Sequence, residues 1–236
     1  MKTILLSSLN KVFKNKEPNA TEFTSFSSLK NENFSFQLAV LPEDENQTVL
    51  NIKFSSPIAE DITVYEVKNI PGATTKYENL DNFHYSQDIK EFPDLLMPVD
   101  GAVSLNNGEW TSLWFEYKPS KAVTGKQNIT ITLNAGGVTE EKEFELDIID
   151  AELPEQEILF TNWFHNDCLC TYYNVEPFSD EYWKIVERFI KNARERGVNM
   201  LLTPVFTPPL DTEVGGERPT FQLVEVDKID VGYRFG

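Results

Sequence analysis

Met200-Leu-Leu-Thr-Pro-Val-Phe-Thr-Pro-Pro-Leu-Asp-Thr-Glu-Val-Gly-Gly-Glu-Arg-Pro-Thr-Phe-Gln-Leu-Val224 is an apolar run brought to an abrupt stop. Met200 to Val205 reads as a buried strand. Pro204, Pro208 and Pro209 force an extended exit, because proline removes a backbone donor and turns the residue before it away from helix. The strand therefore delivers a loop, in which Asp211, Glu213, Glu217 and Arg218 surround the flexible Gly215-Gly216 pair, as polar sites are commonly mounted on a rigid sheet.

Upstream, Ile158 to Phe164 reads as a second strand that runs out into the loop His165-Asn-Asp-Cys-Leu-Cys170. Between the two strands lies a helix. Ser179 is its N-cap, Asp180 and Glu181 suit the positive end of the dipole, and Lys191, Arg194 and Arg196 suit the negative end. Tyr182, Ile185, Val186, Phe189, Ile190 and Ala193 form one apolar face, and Gly197 is the stop. Strand, helix and strand in that order make a βα unit with a parallel partner. Its working groups belong at the C-terminal strand ends, where His165, Asp167, Asp211 and Arg218 fall.

Working outward, residues 1 to about 150 alternate with period two, at Phe34 to Val40, Leu50 to Phe54, Ile62 and Val64, Leu113 to Tyr117, Ile129 to Leu133, and Phe144 to Ile148. Turn residues separate these runs, and Asn134-Ala-Gly-Gly137 reads as the corner of a hairpin. Seven or so antiparallel strands argue for a β-sandwich. Residues 76 to 108 read as a long connection packed by its aromatics. The acidic, proline-containing segment Asp150 to Gln156 marks the boundary between domains at 1–152 and 153–236. Phe221 to Asp227 and Val231 to Phe235 read as a further pair of short strands. About 80 residues follow the boundary, against about 250 for an eight-stranded barrel, so the expected fold is all-β plus α/β: a β-sandwich followed by the first βα units of a truncated TIM-type barrel.

Composition narrows the partners. The 236 residues are 40% hydrophobic and 12% aromatic, enough for one large or two modest domains. With 21 basic and 38 acidic side chains the formal charge is −17, which disfavours nucleic acid and anionic membranes. No stretch approaches the roughly 20 apolar residues of a membrane span. The N-terminus starts like a signal peptide, but Ser7, Ser8, Asn10 and Lys11 interrupt its apolar run, so it reads as a first strand of a cytoplasmic protein. Cys168 and Cys170 are too close in sequence for a good mutual disulfide.

Trp163-Phe-His-Asn-Asp167, Glu181-Tyr-Trp183, Gly197 to Thr212 and Gly216 to Val224 together resemble the glycoside hydrolase family 123-like proteins, as do Glu32 to Gln37, Phe92 to Leu95 and Ser112 to Tyr117 upstream. The resemblance implies a sandwich followed by a (β/α)8 barrel acting on terminal β-linked N-acetylgalactosamine. It further implies retaining hydrolysis in which the substrate's own acetamido carbonyl is the nucleophile, an exception to the two-carboxylate scheme. A sequential Asp-Glu pair would then orient the acetamide and act as general acid, and that pair is expected beyond Gly236, in a C-terminal barrel segment missing from this chain. No catalytic residue is therefore expected within residues 1–236. Asp180-Glu181 does not replace the pair, because helix-start acids serve the dipole; Asp44-Glu45 sits in a solvated turn.

The substrate-binding candidates are His165, Asp167, Trp163, Asp211 and Arg218. Imidazole and carboxylate orient hydroxyl protons. Asp211 and Arg218 either contact sugar or pair to brace the proline-rich loop, and Trp163 either stacks on a sugar or joins the core. His165, Asp167, Cys168 and Cys170 lack the companions and spacing of a metal site, so neither metal nor cofactor is expected; the ligand that the resemblance implies is an N-acetylated glycan. A non-catalytic carbohydrate-binding or scaffold module is the alternative reading.

Overall fold

Phe34 to Leu41 folds as the alternation requires, with Phe36, Leu38 and Val40 fully buried on one face. The computed structural model describes residues 1–72, 90–203, 226–229 and 232–235, the last two stretches as backbone only, and divides into units Met1–Pro154 and Glu155–Gly236. In the first unit ten strands are described. They are β1 (Lys2–Ser7), β2 (Ser25–Leu29), β3 (Phe34–Leu41), β4 (Val49–Ser55), β5 (Ile62–Pro71), β6 (Glu91–Pro98), β7 (Ala102–Ser104), β8 (Thr111–Tyr117), β9 (Gly125–Ala135) and β10 (Val138–Ile149). One sheet has the order β1-β3-β8-β5-β6 and the other β2-β10-β9-β4-β7.

The two sheets share one core. Phe36 and Phe115 are cross-strand partners in the first sheet, their rings 5.0 Å apart, while Phe144 from the second sheet stacks on Phe36 at 4.1 Å. Leu38, Leu50, Leu113, Ile131, Leu133 and Leu146 complete the buried cluster around them. At the β9–β10 hairpin Ala135 pairs with Val138, leaving the two-residue turn Gly136-Gly137 with φ of 57° and 81°. Only glycine takes two such angles cheaply, and a Cβ on Gly136 would also stand 3.0 Å from the Asn46 carbonyl oxygen.

Two expectations need correction. The span 76–108 is not a plain connection, because β6 and β7 lie within it. Pro93 and Pro98 hid β6, but it is the last strand of its sheet, where a missing backbone donor is tolerated. The β5–β6 register shifts between Lys68 and Asn69, which absorbs the disturbance. β2 escaped the pattern as well, since Ser-Phe-Ser-Ser-Leu has little apolar periodicity; it is held by parallel pairing with β10.

Residues 8–22 run outside the first sheet as a strap. The buried Gln37 amide donates to the carbonyls of Ser7 (3.1 Å), Ser8 (3.3 Å) and Asn10 (2.9 Å), and its oxygen accepts from Ser112 Oγ at 2.9 Å. Leu6, Val12, Ala39 and Trp110 form a second small core beneath the strap. Polar satisfaction and apolar burial thus hold the same segment.

Tyr117 is buried with no hydrogen-bond partner for its hydroxyl among the described residues. Burial raises its pKa, and the Asp61 charge adds to the rise. A folded value above the unfolded one means that the stabilising preference for the neutral phenol is fully present below about pH 10 and is lost as pH rises through the folded value. Urea midpoints should therefore fall on going alkaline, and Tyr117→Phe should shrink that fall while changing stability at pH 7 by no more than about 1 kcal/mol, since an unpaired hydroxyl is removed. A loss well above that at pH 7 would show that the hydroxyl is satisfied after all.

The second unit carries β11 (Thr161–Trp163), α1 (Asp167–Tyr173), α2 (Asp180–Glu195), β12 (Met200–Leu202), β13 (Val226–Ile229) and β14 (Gly232–Phe235). β11 and β12 are parallel, and β13 and β14 pair as an antiparallel hairpin. α2 begins as its sequence requires: Ser179 Oγ accepts the Tyr182 backbone N–H at 3.2 Å, and Glu187 pairs with Lys191 one turn on. Gly197, at φ of 90°, closes it.

The apolar surfaces here are less covered than their pattern suggests. Tyr182, Ile185 and Val186 pack on Leu169 and Cys170 of α1, but Phe189 and Ile190 remain more than a third exposed. The expected strand Ile158–Phe164 is ordered as strand only over Thr161–Trp163, with Ile158 and Leu159 largely exposed. The expected buried strand Met200–Val205 runs as β12 through Leu202, with Met200 and Leu202 part-exposed; Val205 lies outside the described residues. Among the described residues no third strand joins this ladder. Asn199 links the two strands instead, accepting from the Phe160 N–H at 2.8 Å and donating to the Ile158 carbonyl at 3.1 Å.

Candidate functional site

Parallel pairing brings the C-terminal ends of β11 and β12 to the same edge, with Trp163 opposite Leu202 and the Phe164 N–H donating to the Leu202 carbonyl at 2.7 Å. The chain then leaves β11 through His165 and Asn166 into α1. The sequence reading of His165 to Cys170 as a loop is thus corrected, because Asp167 opens a helix of two turns. Seven residues are too few to show a helical period. The legible signal was the stop, Asn174, which sits in the left-handed region at φ of 51° and ends α1.

The exit gathers three of the expected residues. Trp163 is 61% exposed, so it is not a core aromatic, and its ring lies 5.8 Å from that of half-buried His165. Asp167 is buried at the first turn of α1. The group supplies an open aromatic face for the C–H side of a ring and, in half-buried His165, a group that orients hydroxyls, while the Asp167 carboxylate is buried. Asp211 and Arg218 lie outside the described residues.

Asn166 was missed. It is completely buried, its side-chain N–H donates to the Tyr182 hydroxyl at 2.5 Å, and its Oδ1 has no partner among the described residues. The bond ties the strand exit to the inner face of α2 and fixes the backbone between His165 and Asp167. Burial raises the Tyr182 pKa against the opposing effect of the Asn166 bond, so the phenol remains a neutral partner. A lone Asn beside a His draws no notice in sequence; only a contact 16 residues away reveals it.

The two cysteines differ in setting. Cys168 is exposed and its thiol donates to the His165 carbonyl at 2.8 Å, whereas Cys170 is buried. Burial, with the nearby Asp167 carboxylate, pushes the Cys170 thiol above its ordinary pKa, which makes it a poor thiolate ligand or nucleophile. A cavity of about 420 Å³ does occur in this unit, but it runs along α2 between Tyr173 and Phe189 and holds none of the strand-exit residues. The chemistry of the exit, rather than that hollow, marks the candidate site.

Residues 163–236 match the family model described as the glycoside hydrolase 123, catalytic domain. A solved family 123 glycoside hydrolase from Clostridium perfringens, described in connection with glycolipid glycan hydrolysis, superposes with a TM-score of 0.75 at 14% identity. That alignment covers 100% of this chain and 43% of the solved one, so the chain spans less than half of that enzyme's length. At this identity the likeness establishes the fold. The N-terminal domain of PorA (11% identity, 61% of this chain and 97% of that one) and a PapD-like domain of human CEP192 (12% identity, 56% and 84%) each reach a TM-score of only 0.28. No curated protein matches the chain. The resemblance to family 123 is therefore found both in the family model and in the fold.

Proposed function

We propose that the chain is the N-terminal part of a family 123-type glycoside hydrolase acting on terminal β-linked N-acetylgalactosamine, with β11, α1, α2 and β12 as the opening of its (β/α)8 barrel. The observation that carries this reading is where the catalytic-domain match begins: at Trp163, the last residue of β11, immediately before His165 and Asp167. An exposed indole beside half-buried His165 at a parallel strand exit supports this reading, since barrel sites sit at the C-terminal strand ends.

The proposed reaction is substrate-assisted. The acetamido carbonyl oxygen attacks the anomeric carbon as the bond to the leaving oxygen breaks, and a glutamic acid gives that oxygen its proton. A neighbouring aspartate holds the acetamide and stabilises the oxazolinium. Water then opens the ring from the opposite side and returns its proton to the glutamate, with net retention. That Asp-Glu pair is proposed to lie in the part of the enzyme that residues 1–236 do not span. Within this chain, Trp163, His165 and Asp167 hold the sugar, and Asp211 and Arg218 either join them or brace the loop after β12.

A cytoplasmic location belongs to the same proposal. Leu5 and Leu6 of β1 are buried, which supports the reading of that apolar run as a strand. Among the described residues no helix is long and apolar enough to cross a membrane.

The nucleophile can be tested chemically. A thiazoline that mimics the bicyclic oxazolinium should inhibit the full-length protein competitively, and an aryl β-galactoside lacking the acetamide should resist cleavage. Equal turnover of the galactoside would remove substrate assistance.

A further inference from the structure

Three consecutive residues after β11 are each held by a different element. The Phe164 N–H donates to the Leu202 carbonyl of β12 at 2.7 Å. The His165 carbonyl accepts the Cys168 thiol of α1 at 2.8 Å, and the Asn166 side chain donates to the Tyr182 hydroxyl of α2 at 2.5 Å. The middle residue is His165, whose ring lies 5.8 Å from that of Trp163. The backbone that carries this pair is thus fixed by strand and helices together.

Of the three ties, the Asn166 bond is the one that local structure does not call for. Asn166 stands just before the first turn of α1, where an asparagine side chain ordinarily caps the helix by accepting an N–H two or three residues on. Here it makes no such bond. Its backbone already lies in the helical region, at φ of −71° and ψ of −16°, and its amide crosses instead to a side chain 16 residues away. A local preference set aside for a tertiary bond is what functional sites commonly show. Leu169 and Cys170 also pack against Ile185 and Val186, so apolar contact already joins the two helices. What the polar bond adds is direction, because a hydrogen bond prefers a distance and an angle while apolar burial does not. Breaking it would leave a buried amide unpaired, which disfavours other arrangements of the exit.

We propose that Asn166 is a positioning residue for the sugar: through Tyr182 it sets the backbone on which His165 stands, and so keeps the His165 imidazole beside the exposed Trp163 ring in one arrangement. That these rings hold a sugar rests on the hydrolase reading, whereas the placing of one ring against the other does not. Such orientation matters steeply, since a displacement of about 1 Å at a binding group can cost about 100-fold in rate. A pair arranged before the ligand arrives also lowers the ordering cost of binding.

The test compares three variants. Asn166→Ala removes the tie, and Tyr182→Phe removes only the hydroxyl that accepts it, keeping the ring in the core. Val186→Ala loosens the same helix packing from a side chain outside the tie, so it controls for lost stability. In the 236-residue chain His165 is one of two histidines, which makes its ring protons simple to assign. Nuclear Overhauser contacts between the His165 and Trp163 rings are expected in the unaltered chain and in Val186→Ala, and are expected to be lost in Asn166→Ala and Tyr182→Phe. In the full-length protein those two variants should lower kcat/KM for an aryl β-N-acetylgalactosaminide at least about tenfold, chiefly through KM, while Val186→Ala stays within about twofold. Ring contacts that are absent from the unaltered chain, survive in both tether variants, or vanish equally in Val186→Ala would overturn the assignment. Turnover by Tyr182→Phe equal to that of the unaltered enzyme would overturn it too. A full-length protein that hydrolyses nothing would defeat the hydrolase reading alone and leave the ring contacts to decide the positioning.

Discussion

Phe36→Ala is expected to cost the first unit about 4 kcal/mol, a large share of the 5–15 kcal/mol typical of a domain. Phe36 is 2% exposed and joins the two sheets through a single stack, with Phe115 at 5.0 Å on one side and Phe144 at 4.1 Å on the other. Truncation removes the transfer free energy of a buried ring, leaves a cavity between rigid strands, and deletes the aromatic pairs with Phe115, Phe144 and Phe34. Phe36→Leu keeps much of the volume and should cost about half as much, because the cavity is smaller. Urea unfolding of the chain measures both. A loss below about 1 kcal/mol for the alanine would mean that the sheets collapse onto the gap and that the stack is not the centre of the core.

The second large effect concerns the strand exit and rests on the hydrolase proposal. Asp167→Asn in the full-length protein should lower kcat/KM by between about 10-fold and about 100-fold, the range of one charge-assisted hydrogen bond of about 1.5–3 kcal/mol. Asp167 is 3% exposed and held at the first turn of α1, one residue after the Asn166 that bonds Tyr182, with its carboxylate near Cys170 and Tyr182. If the bond holds the sugar equally in ground and transition states, the loss appears in KM; if it strengthens during reaction, the loss appears in kcat. A purely structural Asp167 would instead lower the unfolding midpoint and leave kcat/KM of the folded fraction within about twofold.

The sandwich was legible because its inner faces repeat with period two at Phe36, Leu38, Leu113, Phe115, Ile131 and Leu133, and because Gly136-Gly137 admits so few turns. α2 was legible from Ser179 through Gly197 because cap, face and stop agree. What stayed hidden depends on tertiary partners. β6 looks broken by Pro93 until it is seen at a sheet edge, and β2 is a strand only because β10 lies beside it. The strap owes its place to Gln37, which sits within an otherwise apolar strand and gives no sign that its amide will meet three carbonyls. Trp163, His165 and Asp167 are named as candidates by residue type and position, and they fall at the β11 exit. Asn166 could not be named in this way, since its role lies in the bond to Tyr182. The placing of Asp211 and Arg218 falls outside the described residues.

Hydrolysis of an aryl β-N-acetylgalactosaminide by the full-length protein measures the proposed specificity for β-linked N-acetylgalactosamine most directly. The expected result is release of the aryl alcohol with N-acetylgalactosamine appearing first as the β-anomer. Binding of the sugar without any release, or the absence of activity on every aryl N-acetylhexosaminide, would contradict it and turn the reading toward a carbohydrate-recognition module.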